Sequence, residues 1–358
     1  MPALSRGDRI ALLTSGGDAP GMNAALRGAA RVATSMGFEV MGVEDGYVGL
    51  LAGRVRPLPT AEVDEAARRG GTVLGSARSK VFPTPEGQRL ARAALASHAV
   101  KALVVIGGNG SLTGARTLCD AVAVAGLPAS IDNDLACTSM AIGVDTALNT
   151  IVDACDRIAD TAGAHRRTFF VEVMGRDCGY LAMTSAIASG ADAVLVPEAG
   201  RDEAAIVDGV ARAMEAAYAR DSGKRRVLVV KAEGVRLDAA TLKERIDARV
   251  RSSLPDVDTR VTVLGHVVRG GTPTAFDRLL GARLANAAVR ALAEGETSFM
   301  AGWYGPGVVR PACRYDPYVV LSPLDEVLAE TDRLMRGESD IARWRRAIVA
   351  EIEPILAR

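Results

Sequence analysis

Twice in this chain an apolar run of strand length ends in a cluster of glycines and small polar residues, with helix-period sequence directly after it. The first instance is Arg9 to Leu13, then Thr14-Ser-Gly-Gly-Asp-Ala-Pro-Gly21, then a helical stretch from Met22 to Met36. The second is Lys101 to Ile106, then Gly107-Gly-Asn-Gly-Ser-Leu-Thr-Gly114, then another helix. Strand, bare turn and helix leave free helix N–H groups and unshielded backbone facing one point, where an anion can sit. Gly16-Gly17 alone fits an ordinary tight βα connection equally well; the recurrence is what favours phosphate binding. No GxxxxGK[ST] run occurs, so the arrangement is not the P-loop.

The rest of the chain continues the alternation. Glu39 to Asp45 reads as a strand ending at Gly46-Tyr47, and Thr60 to Ala67 as a polar helix. Gly70 to Arg78 is a further glycine-rich stretch and carries an arginine. Thr84-Pro85-Glu86 places a capping threonine before a proline at the first helical position, predicting a helix to about Ser97. Val144 to Asp160 has helical periodicity. Thr168 to Val173, Ala191 to Val196, Arg226 to Ala232 and Arg260 to Leu264 read as strands with helices between them, and two charged helices close the chain. Such alternation predicts parallel sheets wound with helices. With 358 residues, two domains or one large α/β unit are expected. Only 4% of the residues are aromatic although 49% are hydrophobic, so the core must be aliphatic, which suits that architecture.

Pro128-Ala129-Ser130-Ile131-Asp132-Asn133-Asp134 follows a third apolar run, Val122 to Leu127. In an extended stretch alternate side chains share a face, so Ser130, Asp132 and Asp134 are expected to point together at the carboxyl end of a strand, where open α/β sheets bind ligands. Two close acids can divide proton transfer from the holding of a metal or sugar hydroxyl. Taken alone, the seven residues favour an Asn/Asp-rich turn and helix cap, and it is the rest of the chain that reverses this.

Zero formal net charge points away from general nucleic-acid or membrane-surface binding, so bound phosphates must meet local arginines. The five cysteines form no CxxC pair, and a reduced, cytoplasmic setting is the simple inference. His98, His165 and His266 show no zinc spacing, and His266 taken alone reads as a core histidine. No apolar run reaches membrane-spanning length.

These motifs, in this order and spacing, resemble those of bacterial ATP-dependent 6-phosphofructokinases: Thr14 to Asn23, Gly70 to Arg78, Gly107 to Gly114, Ser130 to Asp134, Met174-Gly175-Arg176 and Gly265 to Gly271. The resemblance covers roughly 9–301. It implies two similar doubly wound, parallel-sheet, Rossmann-like domains with the active site in the cleft between them. It sets the domains at 1–143 plus about 268–320, which would bind nucleotide, and 144–267 plus about 321–358, which would bind sugar phosphate. It also implies a homotetramer with shared active sites, and transfer of the γ-phosphoryl of ATP to the 1-hydroxyl of fructose 6-phosphate, a glycolytic step that uses Mg2+.

By the same resemblance Asp132 is the general base, and Ser130 and Asp134 hold sugar or metal. Arg78 and Arg176 stabilise charge on the transferred phosphoryl, as the planar guanidinium suits phosphate. Gly17, Tyr47, Arg78, Ser79, Gly108, Asn109, Gly110 and Ser111 match the nucleotide site. Ser130, Ile131, Asp132, Met174, Gly175, Arg176 and Glu233 match the sugar site. Arg167, Arg260, His266 and Arg269 match the pocket for the 6-phosphate, with Arg167 and Arg260 reaching in from a neighbouring subunit. Asn109 stands at a magnesium position often held by aspartate, and an amide binds that hard cation less strongly. Val268 replaces a commonly polar residue.

Pyrophosphate-dependent relatives carry aspartate where Gly110 stands and lysine where Ala129 stands; the small residues here leave room for a nucleotide. Lipid and NAD kinases share only a GGDG-like loop. A regulatory sugar-phosphate-binding homologue is favoured by Asn109 alone and opposed by Asp132, Arg78 and Arg176. At the family's regulatory site, Arg27, Arg31 and Lys224 match basic residues and Asp192 a glutamate that contacts the effector's metal. Thr60, Ala159 and Ser222 stand where further cations are common, which predicts a weakened effector site.

Overall fold

The structure is a computed structural model that describes residues 2–219, 223–305 and 311–356. The chain divides into two compact units, 1–146 with 269–332, and 147–268 with 333–358. The final return of the chain thus falls near 332, later than the expected 320.

The first unit opens with β1 (Arg9–Ser15), α1 (Met22–Ser35), β2 (Glu39–Val43), α2 (Gly46–Leu51), β3 (Val55–Pro57) and α3 (Thr60–Ala66). It continues with α4 (Pro85–Ser97), β4 (Val100–Gly107), α5 (Asn109–Arg116) and β5 (Ala123–Pro128). Helix α4 starts as its sequence dictates: the Thr84 hydroxyl accepts from the Gly87 N–H at 3.1 Å, with Pro85 in the first turn. Helix α6 (Val144–His165) leads out of this unit. Its first turn is held by Asp277, a fully buried carboxylate that accepts from the N–H groups of Gly143 and Thr146, both at 2.8 Å. Burial pushes the Asp277 carboxyl up, and these hydrogen bonds oppose the shift.

The second unit holds β6 (Arg167–Val173), α7 (Tyr180–Ser189), β7 (Ala193–Leu195), α8 (Glu203–Ala217), β8 (Val227–Ala232), α9 (Ala239–Val250) and β9 (Asp258–Val263). The chain then returns to the first unit through α10 (Ala275–Ala293), β10 (Phe299–Trp303), β11 (Val319–Pro323) and most of α11 (Leu324–Met335). It ends in the second unit on α12 (Asp340–Leu356).

The first sheet runs β11-β10-β5-β4-β1-β2-β3. Its interior pairs are parallel, and its two edges, β3 on β2 and β11 on β10, are antiparallel. Those edge strands and β10 are strands that the alternating pattern did not foretell: β3 is three residues long and ends in Pro57, which an edge tolerates. The second sheet, β7-β8-β6-β9, is smaller and wholly parallel. Strands β1, β4 and β5 are buried on both faces, as their unbroken apolar runs require. Register places Ser15 beside Gly107 and Gly107 beside Pro128, so three motif loops leave the sheet side by side.

Candidate active site

In the first unit these loops surround a cavity of about 500 Å³. The backbone turns after β1 and β4 approach so closely that a Cβ on Gly107 would lie 2.5 Å from the Ser15 carbonyl oxygen. Helix α5 begins at Asn109 without a side-chain cap. The Asn109 and Gly110 N–H groups open the helix, the Ser111 N–H donates to the Gly108 carbonyl at 3.0 Å, and Gly108 to Ser111 line the cavity. A Cβ on Gly110 would meet nothing within 4 Å. On another wall Tyr47 stacks on Phe82 with ring centroids 3.9 Å apart, and the Tyr47 hydroxyl donates to the Ser111 carbonyl at 2.7 Å. Burial holds that phenol well above its ordinary range, so it stays neutral and donating.

The loop carrying Ser76, Arg78 and Ser79 is tied to the turn after β1. Thr14 donates to the Gly75 carbonyl and Ser76 to the Gly16 carbonyl, at 2.8 and 2.6 Å. Buried Asn23 donates to the Gly70 carbonyl and accepts from the Val73 N–H. Arg78, Ser79, Gly17 and Arg269 line the cavity with them, and Arg269 donates to the Asp18 carbonyl at 3.1 Å. Arg78 is exposed and makes no ion pair among the described residues.

Ser130, Asp132 and Asp134 also line this space, but not because the stretch is extended. The chain turns at Ile131-Asp132, and Asn133 is left-handed at φ 50°. Left-handed backbone suits asparagine and destroys the two-residue alternation that the sequence reading relied on. Ser130 instead reaches across the turn and donates to Asp134 Oδ1 at 2.6 Å. Asn133 fixes the loop by donating to the Ser139 carbonyl and accepting from the Ala141 N–H. Both sequence readings thus hold parts of the truth: the segment is an Asn/Asp turn, and the turn gathers the acids. Ile131 is buried and is not among the residues lining the cavity.

The second unit carries the remaining candidates at both ends of its sheet: Met174, Gly175, Arg176, Glu233 and His266 follow the carboxyl ends of β6, β8 and β9, whereas Arg167 opens β6 and Arg260 lies in β9 beside Phe169. Met174 is buried, whereas Arg176 and Glu233 are exposed. The two loops lock together through Glu233 N–H to Val173 O at 2.8 Å and Gly234 N–H to Gly175 O at 3.2 Å. A Cβ on Gly234 would fall 1.7 Å from the Arg176 carbonyl oxygen. Arg176 makes no side-chain hydrogen bond or ion pair among the described residues. Asp258 bridges Arg167 and Arg260, 2.8 Å from each. His266 is exposed on a short 3₁₀ turn rather than buried in the core, because that turn follows β9 at the sheet edge.

Candidate effector residues are engaged within their own units. In the first, Arg27 and Arg31 share Asp64. The hydrogen bond from Arg31 is the main reason that the Asp64 carboxyl is held at about 2. Thr60 opens α3 in that unit. In the second, buried Asp192 accepts from Lys224 at 2.6 Å and from the Leu228 N–H at 2.8 Å. Those bonds occupy the carboxylate expected to face a metal. Ala159, Asp192, Lys224, Arg225 and Arg226 line a cavity of about 560 Å³ there, and Ser222 lies outside the described residues.

Phe82 is the clearest omission from the sequence reading; only its place one stretch after Arg78 could have pointed to it. Among the described residues no three or more His, Cys, Asp or Glu side chains gather into a ready-made metal cluster. The oxygen donors of Asp132, Asp134 and Asn109 line the cavity nonetheless, and such hard donors fit Mg2+, which takes one or two carboxylates and completes its shell with water and substrate phosphates.

A glycine-rich cavity at the carboxyl ends of parallel strands places the molecule among phosphate-binding α/β proteins. A model of the family described as phosphofructokinase matches residues 9–292, and the chain belongs to that family. It is 46% identical over 295 residues to ATP-dependent 6-phosphofructokinase 2 of Bacteroides thetaiotaomicron, covering 82% of this chain and 88% of that protein. Identity to the ATP-dependent 6-phosphofructokinase of Brevibacillus brevis is 45%, over 82% and 89%. The Pichia pastoris phosphofructokinase structure superposes with a TM-score of 0.84 at 33% identity, covering 99% of this chain and 39% of that longer one. Among the described residues no helix is long and apolar enough to cross a membrane.

Proposed function

We propose that the chain transfers the γ-phosphoryl of ATP to the 1-hydroxyl of fructose 6-phosphate. The observation that carries this reading is the first unit's cavity, where a glycine cradle, an aromatic shelf and the Asp132–Asp134 turn share one space. The bare turns and the start of α5 hold the phosphates, and Tyr47 with Phe82 offers a face for the base. Asp132 accepts the hydroxyl proton as the phosphoryl group leaves ADP. Ser130 orients Asp134 by the hydrogen bond between them. Phosphoryl transfer needs positioning and charge neutralisation above all, and Arg78 and Arg176, with no ion pairs among the described residues, are available to supply it. Asp134 and Asn109 would hold Mg2+, whose chemistry is to neutralise phosphate charge. Met174, Gly175 and Glu233 line the sugar, and Arg167, Arg260, His266 and Arg269 take its 6-phosphate.

Arg167 and Arg260 act across a subunit interface in a homotetramer, and mixing Arg167→Ser with Asp132→Ser subunits regenerates some intact sites. A fully active monomer in ultracentrifugation contradicts this. The regulatory site binds a phosphorylated effector weakly, in the millimolar range, since Arg27, Arg31 and Lys224 are already paired.

The deciding assay supplies purified protein and fructose 6-phosphate with either Mg-ATP or pyrophosphate. ATP is the faster donor at saturation, and Gly110→Asp with Ala129→Lys abolishes its use. Faster turnover with pyrophosphate overturns the reading. Asn109→Asp lowers the magnesium concentration needed; an unchanged titration removes Asn109 from the metal's surroundings.

A further inference from the structure

Helix α12 lies beyond residue 292, where the family match ends, yet it carries a buried arginine. Arg345 is 7% exposed; its Nη1 donates to Cys178 Sγ at 2.8 Å, and its guanidinium carbon lies 5.0 Å from the centre of the Tyr180 ring. Cys178 belongs to the loop that carries Arg176. That loop is folded back so tightly that a Cβ on Gly175 would lie 2.4 Å from the Cys178 carbonyl oxygen. Where Cys178 sits therefore fixes Gly175, and with it the peptide of Arg176. Since the Arg176 side chain has no partner among the described residues, its backbone alone sets its aim.

The residue after Cys178 is held by Glu198, which lines the same gap as Arg345. Glu198 accepts the Gly179 N–H at 2.8 Å through Oε1, while its other oxygen is buried without a hydrogen bond. Gly179, Tyr180, Glu198 and Arg345 line one gap that has no room for a water molecule, and Arg345 is the one cation among those lining residues. Burying an arginine costs several kcal/mol of desolvation, and an apolar side chain of similar size would fasten a helix as well or better. A buried guanidinium is suited to something else: holding a sulfur and a ring in one fixed relation.

We propose that Arg345 is a positioning residue for Arg176, so that the C-terminal helix holds the loop that delivers this arginine to the transferred phosphoryl. The inference rests on the role given to Arg176 above. The test compares Arg345→Met, Arg345→Lys, Arg176→Ala and the Arg345→Met/Arg176→Ala pair by steady-state kinetics, with thermal unfolding alongside. Arg345→Met lowers kcat about tenfold or more, as a small misplacement of a reacting group can. It leaves KM for ATP within about twofold, because the nucleotide cavity lies wholly in the first unit, and Arg345→Lys recovers part of the loss. In the Arg176→Ala background Arg345→Met costs under about twofold more, since the two act as one unit. Equal losses in both backgrounds, or an unchanged kcat in Arg345→Met, overturn the proposal. If Arg176→Ala itself keeps full kcat, the role of Arg176 is what fails. Should Arg345→Met not fold, Cys178→Ala removes the acceptor with α12 intact, and the same outcomes apply.

Discussion

The first unit's candidate site is made mostly of backbone and short side chains, while the second unit's is made of long side chains on strand ends. Around the cavity, Thr14, Asn23, Ser76 and Asn133 each tie one loop to another, so the geometry exists before any ligand arrives. Arg167 and Arg260 have only Asp258, which they share, and Arg260, Arg176 and His266 are exposed. Preorganised backbone suits a step in which charge must be met without rearrangement. Long exposed cations suit capture of a doubly charged group, and arginine's fork is the side chain for it. The same contrast separates rate from affinity: a change at Asp132 should act on turnover, and changes at Arg167 and Arg260 on sugar phosphate binding.

The sharpest test is Asp132→Ser. It should cut kcat by about 10²–10⁴, the usual cost of losing a general base, with fructose 6-phosphate affinity nearly unchanged by calorimetry. A loss under about threefold would place the proton elsewhere and erase the contrast. Next in size is a stability effect confined to the second unit. Lys231 is fully buried and paired with Glu172 at 2.9 Å. Glu172→Ala strands that ammonium and should cost about 3–5 kcal/mol in urea unfolding.

Arg167→Ser or Arg260→Ser should raise KM for fructose 6-phosphate several-fold while KM for ATP stays constant. Asp258→Asn should change stability by less than about 1 kcal/mol, because its ion pairs are partly exposed. A larger loss from Asp258→Asn than from Arg260→Ser in unfolding assays would make this cluster structural.

The smallest effect belongs to Asp64. Its folded carboxyl, hydrogen-bonded first by Arg31 and then by Arg27, is held at about 2. A depressed carboxylate stabilises the fold above its unfolded value near 4 and loses that contribution as pH falls toward about 2. Asp64→Asn should therefore flatten the acid limb of the stability curve across that interval. An unchanged limb in circular dichroism would show that the two arginines do not hold it.

Much of this was legible in residues whose role is local. The threonine and proline before α4 and the unbroken apolar runs of β1 and β4 act within a few residues, so their sequence states them. Asn133 shows where that logic stops. Its left-handed backbone is selected by partners at Ser139 and Ala141, and a reading of alternate residues on a strand placed the right acids together for the wrong reason. Phe82 was overlooked because its value lies in stacking on Tyr47, thirty-five positions earlier in the chain.

By itself the sequence determined the parallel α/β class, the three loops that carry glycines and acids, and the likeness that identifies the family. These follow from hydrophobic period and from residue types with few conformational options. Only the tertiary structure decided which cations are free and which are spent. Among the described residues Arg78 and Arg176 make no ion pairs, whereas Arg27, Arg31 and Lys224 are held by Asp64 and Asp192. The tertiary structure also brought Arg345 to Cys178 across 167 positions of chain. An ion pair or a buried contact depends on distance in space, and distance in space between remote segments is fixed by packing, not by either segment's own sequence.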